Sequence, residues 1–218
     1  MLTKKQAIAN TGNLSTTSKM PCDSWGIPAT TCKTGSKLAQ IEGTVCSGCY
    51  ALKGAYTWKD VNNAYSRRLE KWNETPTDIW IESMIVLIKS NQKRRSDYFR
   101  WFDSGDIQSI EMLEAIVKIA YALPTVKFWL PTKERKIVQQ YIIKYGEHCL
   151  PDNLVIRISE YYVDSMPKTG AWVRNIKFSA VGDKELQITC PSSNQHGRCD
   201  DCRKCWDSSI ECVTYKRH

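Results

Sequence analysis

Alternation between apolar strands and amphipathic helices is the feature of this sequence that most restricts its fold. From residue 98 to residue 159 the pattern is strand, helix, strand, helix, strand. Such alternation predicts a parallel sheet with right-handed crossovers, either as an open doubly wound sheet or as all or part of a barrel. The predicted strands span 98–103, 126–131 and 154–159, and the predicted helices span 107–122 and 133–145.

Further elements are predicted on both sides of this alternation. Two amphipathic helices precede it, at 56–72 and 78–91, and two strands follow it, at 175–181 and 186–189. Glycines punctuate the first 55 residues, so regular structure is not expected there. No predicted strand leads into a G-x-G-x-x-G turn or a P-loop, which disfavours nucleotide binding of those types. We expect an α/β fold and favour an irregular or partial (β/α) barrel over an open sheet.

A single domain is expected for the whole chain of 218 residues, because a chain of this length buries roughly 70% of its unfolded surface. We distinguish an irregular cysteine-bearing segment at 1–55, a helical and β/α core at 56–189, and a cysteine-rich segment at 190–218. The first residues lack the apolar run of a secretory signal, and the longest apolar stretch is about half of a membrane span. These features predict a cytoplasmic protein without membrane association.

Ten cysteines are unusual in a chain that has an adequate core. In a reducing cytosol, clustered cysteines are more often metal ligands or redox groups than disulfides. Cys199, Cys202 and Cys205 follow the C-x2-C-x2-C spacing with which ferredoxin-type sequences bind a cubane cluster. Cys190 is the natural fourth ligand, and His196 is an alternative to one of the cysteines. Zinc sites more often pair two separated knuckles, so this spacing favours a [4Fe-4S] cluster over zinc.

A second cysteine group lies in the glycine-rich N-terminal segment, which has few apolar residues to fold around. Its last two members form a C-x2-C knuckle, whereas the earlier spacings are loose. A metal would supply the missing stability. Two separate four-cysteine sites are preferred, although one site with ligands from both ends stays open. The second group is Cys22, Cys32, Cys46 and Cys49, while Cys149 and Cys212 are expected to be small buried side chains.

Polar residues gather where the predicted parallel strands end, which is where such folds carry their functional groups. Two arginines lie inside apolar strands, and a buried guanidinium is expensive unless it is paired. Lys133 and Asp103 suit a ligand-binding role and a structural role equally, whereas Asp106 suits a cap on the helix that begins near 107. The candidate cofactor-binding residues are Arg100, Asp103, Asp106, Lys133 and Arg157, and the candidate partners of the arginines are Asp103, Asp106 and Glu160.

The net charge of +8 permits a nucleic-acid partner. The basic residues are scattered, however, and the longest run, at 93–95, is short. Eight tryptophans and ten tyrosines could serve as stacking platforms for single strands, but many of them lie in predicted strands and helices. A nucleic-acid partner is therefore possible but not favoured. With only three histidines, no Ser-His-Asp or Cys-His arrangement is indicated, and no catalytic residue is predicted.

Several stretches resemble the bacteriophage gene product 88 family. They are LSTTSKMP at 14–21, CSGCYALKG at 46–54, RWFDSGD at 100–106, FWLPTKE at 128–134 and the C-terminal cysteine block. The resemblance spans nearly the whole chain. It implies a phage-encoded protein that acts in the infected bacterium, with no established reaction to carry over.

A fainter likeness is to radical S-adenosylmethionine enzymes, in which an irregular cysteine segment holds a [4Fe-4S] cluster at the mouth of a partial barrel. Those enzymes use a C-x3-C-x2-C run whose three cysteines leave one iron free, and this sequence lacks that run. A group of four ligating cysteines would leave no iron open. We therefore expect an iron–sulfur protein for electron transfer, radical chemistry or sensing, with an unknown redox or host partner. The alternative is a zinc-stabilised module that binds nucleic acid or protein of the host.

Overall fold

The computed structural model describes residues 2–92, 96–146, 148–167, 175–183 and 186–217. Within these ranges the chain forms six α-helices and one sheet of seven strands. The helices are α1 Lys4–Thr11, α2 Lys33–Leu38, α3 Lys59–Glu74, α4 Thr77–Gln92, α5 Ile110–Ala122 and α6 Arg135–Tyr145. The strands are β1 Ser15–Thr16, β2 Asp23–Trp25, β3 Tyr98–Trp101, β4 Lys127–Thr132, β5 Leu154–Ser159, β6 Ile176–Gly182 and β7 Cys212–Lys216.

The strands follow one another across the sheet in the order of the chain. β1 is antiparallel to β2, and every later neighbour pair is parallel. The predicted α/β class with a parallel sheet is confirmed. A doubly wound sheet would reverse its strand order about a crevice, and this order does not reverse. The partial barrel stays a prediction.

One face of the sheet packs against helices. Alternate strand side chains, including Phe99, Phe128 and Ile156, share a core with the apolar side chains of α4 and α5. Because successive strands are neighbours and crossovers are right-handed, the crossover helices lie on one side, where α5 contacts both α4 and α6. Ser109 is the N-cap residue of α5, and its hydroxyl accepts a hydrogen bond from the Met112 N–H.

The opposite face of the sheet is covered by the C-terminal cysteine segment. Trp129 alternates with the helix-facing side chains of β4 and packs against Trp206, with 5.3 Å between the ring centroids. The Trp206 indole N–H also donates to the Phe99 carbonyl at 2.8 Å. This second, smaller core contains Cys22 and Cys205 as well. The sheet therefore separates an apolar helical side from a cysteine-bearing side.

The sequence predictions hold best where the pattern is periodic. The helices at 56–72, 78–91, 107–122 and 133–145 and the strands at 98–103, 126–131, 154–159 and 175–181 are confirmed, with ends shifted by a few residues. The expectation of no regular structure before residue 56 is wrong. A capping box between Thr3 and Gln6 starts α1, and β1, β2 and α2 follow.

The strand predicted at 186–189 is wrong, whereas β7 was not predicted. The N–H groups of Thr189 and Cys190 both donate to the carbonyl of Thr214, at 3.2 and 2.9 Å. Because both hydrogen bonds go to one carbonyl, they anchor the segment at 186–190 but do not form the regular hydrogen-bond ladder of a strand. The basic run at 93–95, and most of the loop expected at 167–172, lie outside the described residues. No helix in the described part is both long and apolar enough to cross a membrane.

Candidate metal centres

Three of the N-terminal cysteines come together around α2. Cys32 occupies the N-cap position of this helix, and the Cys49 N–H donates to the Cys46 carbonyl at 3.2 Å. The sulfurs of Cys32 and Cys46 lie 3.7 and 3.6 Å from the point where a Cβ on Gly35 would stand. Burial raises the pKa of Cys32, and the neighbouring charges of Asp106, Cys49 and Cys46 raise it further. We call Cys32, Cys46 and Cys49 the three-cysteine group.

The three-cysteine group is held at the carboxyl ends of the parallel strands. The Val45 N–H donates to the Tyr161 carbonyl, just after β5, at 2.8 Å. The Glu134 carboxylate, just after β4, accepts from the N–H and the hydroxyl of Thr34 at 2.7 and 2.8 Å. Lys133, also after β4, lowers the thiol pKa values of Cys32 and Cys46 against the larger effect of burial. The group therefore lies where α/β folds place their functional sites.

Cys22 lies in the small core on the other face of the sheet, so its membership of the predicted N-terminal set stays a prediction. Cys22 directly precedes β2, is 1% exposed, and packs with Cys205 and Trp206. The chain then runs along β2 before it reaches Cys32, which carries the two cysteines to different ends of the strand. The loose spacing in the sequence gave no sign of this separation.

Among the C-terminal cysteines, Cys190 and Cys202 lie near Cys199, and Cys190 also lies near Cys205. We call Cys190, Cys199, Cys202 and Cys205 the four-cysteine group, and their joint role as ligands stays a prediction. Burial raises the pKa of Cys199, and the charges of Cys190 and Cys202 raise it further. Burial likewise raises the pKa of Cys205 to about 12, and Cys190 contributes to that rise. The Cys199 N–H donates to the carbonyl of Lys19 at 3.0 Å, which ties the C-terminal loop to the segment before β2.

Arg157 organises the loop that carries the four-cysteine group. Its side chain is 0% exposed, and its Nε donates to the carbonyl of Cys205 at 3.0 Å. Nη1 and Nη2 donate to two carbonyls each, so all five N–H groups are used. The prediction of a carboxylate partner is wrong for this arginine, because all its acceptors are backbone carbonyls, and its assignment to cofactor binding stays a prediction. The other accepting carbonyls belong to Phe178, Lys204, Asp207 and Ile210.

Arg100 lies between the two cysteine groups. Its Nη2 donates to the Tyr50 hydroxyl at 3.1 Å, and Tyr50 follows Cys49 in the chain. Its Nη1 contacts the Met20 sulfur at 3.3 Å, and the guanidinium carbon lies 4.6 Å from the centre of the Trp129 ring. Arg100 therefore contacts neighbours of both cysteine groups. Its guanidinium has no hydrogen bond to a carboxylate among the described residues.

The two aspartates after β3 have different partners. The Asp103 side chain accepts from the Tyr65 hydroxyl at 2.6 Å through Oδ2, while its buried Oδ1 has no hydrogen bond. Asp106 accepts from the Thr132 hydroxyl at 2.6 Å and from the Lys133 N–H at 2.8 Å, which links the ends of β3 and β4. The expectation that Asp106 caps a helix is wrong, because Ser109 is the N-cap residue of α5. Burial raises the pKa of Asp106 to about 6.

Several residues at these centres were not predicted. Tyr50 and Tyr56 both donate to the carbonyl of Asp103, at 2.9 and 3.5 Å, and Tyr65 binds its side chain. In the sequence, the position of Tyr50 directly after Cys49 was the one feature that pointed to a place at the site. Trp206, directly after Cys205, is a comparable case on the other side of the sheet.

Within the described residues, no set of three or more His, Cys, Asp or Glu side chains is arranged to hold a metal ion. Four thiolates around one zinc ion have sulfurs about 3.8 Å apart, from tetrahedral geometry and bonds of about 2.3 Å. In a cubane cluster each thiolate binds a different iron, so the sulfurs stand further apart. Which kind of centre the cysteines hold stays a prediction.

A family model described as gene product 88 matches residues 1–208. The chain belongs to the gene product 88 family. No curated protein matches it, and no solved structure does. The gene product 88 match includes both cysteine groups and six of the seven strands, so the whole candidate site belongs to the family region. The predicted resemblance to this phage family is confirmed.

Proposed function

We propose that this phage protein binds two [4Fe-4S] clusters, one at the three-cysteine group and one at the four-cysteine group. The observation that carries the proposal is the division of the cysteines into two sets on a parallel sheet, with Cys22 packed beside Cys205 of the four-cysteine group. The C-x2-C-x2-C spacing of Cys199, Cys202 and Cys205 supports a cluster over a single zinc ion. The donor atoms also suit iron, since thiolates are the usual ligands of such clusters.

The charge around the four-cysteine group supports an anionic centre there. Arg157 and Arg100 both point their guanidinium groups at this face of the sheet, and neither has a hydrogen bond to a carboxylate. A buried cation without an anion is costly. Four thiolates around a cluster leave a net negative charge, whereas four neutral thiols leave none. The two arginines are therefore compensated when the centre is filled.

The three-cysteine group supplies one ligand fewer than the four-cysteine group. Three cysteines on a [4Fe-4S] cluster leave one iron without a protein ligand, and such an iron can bind a substrate or a cofactor. The loops after β3, β4 and β5 lie beside this group, and the unreversed strand order supports the proposal of a partial (β/α) barrel. We propose redox or radical chemistry at this centre, with S-adenosylmethionine as the candidate ligand of the open iron.

The residues around the open position provide charged and polar groups of both signs. Lys133 lies near the thiols of Cys32 and Cys46, and the Asp106 carboxylate acts on the same thiols. The amino and carboxylate groups of an amino-acid-like ligand would find partners of opposite charge here. Asp103 keeps an unbonded carboxylate oxygen in the same loop, next to Tyr65.

Anaerobic reconstitution with iron and sulfide tests the proposal. We expect about eight iron and eight sulfide per chain, and about four of each after Cys32→Ser or Cys202→Ser. Cys149→Ser is the matched control, because Cys149 lies in neither group, and it should retain all the iron. A colourless protein with stoichiometric zinc would contradict the cluster proposal and favour the zinc-stabilised module. Loss of only the three-cysteine centre in Cys22→Ser would contradict the grouping.

The ligand at the open iron is tested separately. Addition of S-adenosylmethionine should change the EPR signal of the reduced three-cysteine centre, observed alone in Cys202→Ser. The signal of Cys32→Ser, which keeps only the four-cysteine centre, should not change. An unchanged signal in both variants would contradict the ligand and leave electron transfer as the function.

A further inference from the structure

Large apolar side chains are exposed in the two loops beside the three-cysteine group. The segment at 41–58, which carries the C-x2-C knuckle, contributes four of them, and the loop after β5 contributes two. Trp58 is the most exposed of the six, at 67%. Apolar residues that cluster on a surface mark interaction sites, whereas isolated ones do not. We call these six residues the apolar rim: Ile41, Tyr50, Leu52, Trp58, Tyr162 and Met166.

Backbone contacts join the apolar rim to the three-cysteine group. The Leu52 N–H donates to the Cys49 carbonyl at 3.3 Å, and Tyr50 directly follows that cysteine. Tyr162 forms an antiparallel bridge with Thr44, two positions before the knuckle begins. The two loops therefore lie side by side, and the apolar rim lies next to the three cysteines.

The loop of the four-cysteine group has no comparable surface. Among the described residues from 186 to 217, no large apolar side chain is exposed. Trp206, next to Cys205, is buried and packs against Trp129. The exposed side chains of this loop include charges of both signs, such as Arg198 and Asp200. A docking surface is therefore found at the three-cysteine group and not at the four-cysteine group.

Exposed lysines accompany the apolar rim. The segment at 33–60 has four of them and two exposed carboxylates, and the whole chain has a net charge of +8. A surface with apolar side chains and an excess of positive charge is complementary to an acidic partner, and the charge steers the encounter. The lysines are Lys33, Lys37, Lys53 and Lys59, and the carboxylates are Glu42 and Asp60.

The side chains of the apolar rim favour a protein over single-stranded nucleic acid as the partner. Bases bind by stacking on aromatic rings beside a basic groove. Ile41, Leu52 and Met166 are aliphatic or thioether side chains, which offer no ring for stacking. Methionine and aromatic residues are enriched at the centres of protein interfaces.

We propose that the apolar rim and its lysines dock a small acidic protein that delivers one electron to the three-cysteine centre. The inference rests on the proposed function, in which this centre does redox or radical chemistry. One electron leaves the carrier, which is oxidised, and enters the cluster, which passes from the 2+ to the 1+ state. No covalent bond forms or breaks. The three cysteines are half-buried, so a carrier docked on their neighbours comes close to the cluster.

The probe for this partner is a bacterial flavodoxin, an acidic protein whose reduced flavin gives up one electron. Isothermal titration calorimetry measures its binding to the full-length protein reconstituted with iron and sulfide. We expect Trp58→Ser to raise the Kd at least about tenfold, because tryptophans are frequent hot spots of interfaces. Trp58 is the N-cap residue of α3, and serine is a preferred residue at that position, so the helix is retained.

The contribution of charge is tested by the double variant Lys53→Glu/Lys59→Glu. We expect a Kd about tenfold higher than that of the parent at low salt, and a much smaller difference at about 1 M salt, where the Debye length is about 3 Å. Lys5→Glu/Lys118→Glu is the matched control, because it changes the net charge equally on α1 and α5. Ile143→Gln is the apolar control, since Ile143 is 84% exposed on α6. Both controls should keep the parent Kd.

Electron delivery is measured by stopped-flow mixing with reduced flavodoxin in the Cys202→Ser background, which keeps only the three-cysteine centre. The rate of cluster reduction at low flavodoxin concentration should fall in parallel with the affinity in both rim variants, while reduction by dithionite should not change. Full reduction rates in rim variants that bind weakly would overturn the inference.

The other outcomes are equally decisive. Equal affinity of the parent and the rim variants, or no binding of flavodoxin by the parent, would overturn the inference. So would binding of a single-stranded oligonucleotide, or a dimer of this chain in sedimentation, that Trp58→Ser abolishes. Rim-dependent binding of flavodoxin by a protein that takes up no iron or sulfide would instead overturn the proposed function and leave only the docking surface.

Discussion

Replacement of Arg157 by methionine is the sharpest test of how the fold supports the four-cysteine group. Arg157 lies in the middle of β5 and donates five hydrogen bonds to carbonyls. Three of those carbonyls belong to Lys204, Cys205 and Asp207, at the end of the cysteine loop. Methionine fills much of the same volume but donates nothing, so the loop loses its attachment to the sheet.

The size of the effect follows from the number and burial of these bonds. A hydrogen bond from a charged donor contributes about 1.5–3 kcal/mol, but bonds in one network are not additive. Water also reaches the carbonyls once the loop opens. Removal of one member of a buried charged network costs about 3–5 kcal/mol. We expect a loss of that size for Arg157→Met, a large part of the total stability of a typical domain.

Two measurements check this expectation. Urea unfolding of the metal-free protein gives the change in the free energy of unfolding, and anaerobic reconstitution gives the iron content. Iron should fall from about eight to about four per chain, because the three-cysteine group does not depend on this loop. Lys144→Gln is the control, because it breaks an exposed ion pair with Glu114 on the helical side and should leave the urea unfolding curve unchanged. An Arg157→Met protein within about 1 kcal/mol of the parent and with all its iron would refute the reasoning.

Three further predictions concern the loop after β3. Tyr65→Phe removes the hydroxyl that binds Asp103 and leaves that buried carboxylate without a side-chain partner, which should lower the free energy of unfolding by about 1–3 kcal/mol in urea. Gly105→Ala should be more damaging than Gly146→Ala in thermal unfolding. Both glycines have positive φ, but only at Gly105 would a Cβ stand 2.7 Å from a backbone carbonyl oxygen. Burial raises the pKa of Asp106 to about 6 from 3.8, so the free energy of unfolding should fall as pH rises between about 4 and 6, and Asp106→Asn should abolish that fall.

Each of these predictions has an outcome that contradicts it. Unchanged stability in Tyr65→Phe would mean that water replaces the hydroxyl. Equal melting temperatures for the two glycine variants would mean that the loop after β3 moves aside. The sign at Asp106 follows because the folded protein keeps a proton there that the unfolded chain has released. The free energies of unfolding of the metal-free parent and the metal-free Asp106→Asn variant are compared across that pH range. A difference between them that does not vary with pH would contradict the prediction.

The local pattern of the sequence determined much of the fold. Apolar periodicity over 12 or more residues identified α3, α4 and α5, because one face of each helix is buried. Continuous apolar runs identified β3, β4 and β5 for a similar reason, since both faces of the sheet are covered. The spacing of Cys199, Cys202 and Cys205 also fixed one set of neighbours, because two intervening residues cannot carry a cysteine far away.

Short elements were missed because they draw their stability from contacts elsewhere. The strand β2 has three residues, and its partner β3 lies more than 70 positions further along the chain. The strand β7 is likewise defined by its pairing with β6. The capping box of α1 was available in the sequence, yet the helix depends on its packing against α4.

The tertiary structure alone decided which of the candidate residues lie near one another. Cys22 and Cys32 are ten residues apart, but β2 separates them and carries them to opposite ends of one strand. Arg157 looked like a ligand-binding cation because its five carbonyl acceptors belong to distant segments that no local pattern connects to it. The sequence thus determined that this protein has two cysteine groups on a parallel α/β scaffold. Only the folded sheet made them groups of three and four, because the grouping depends on where each strand begins and ends.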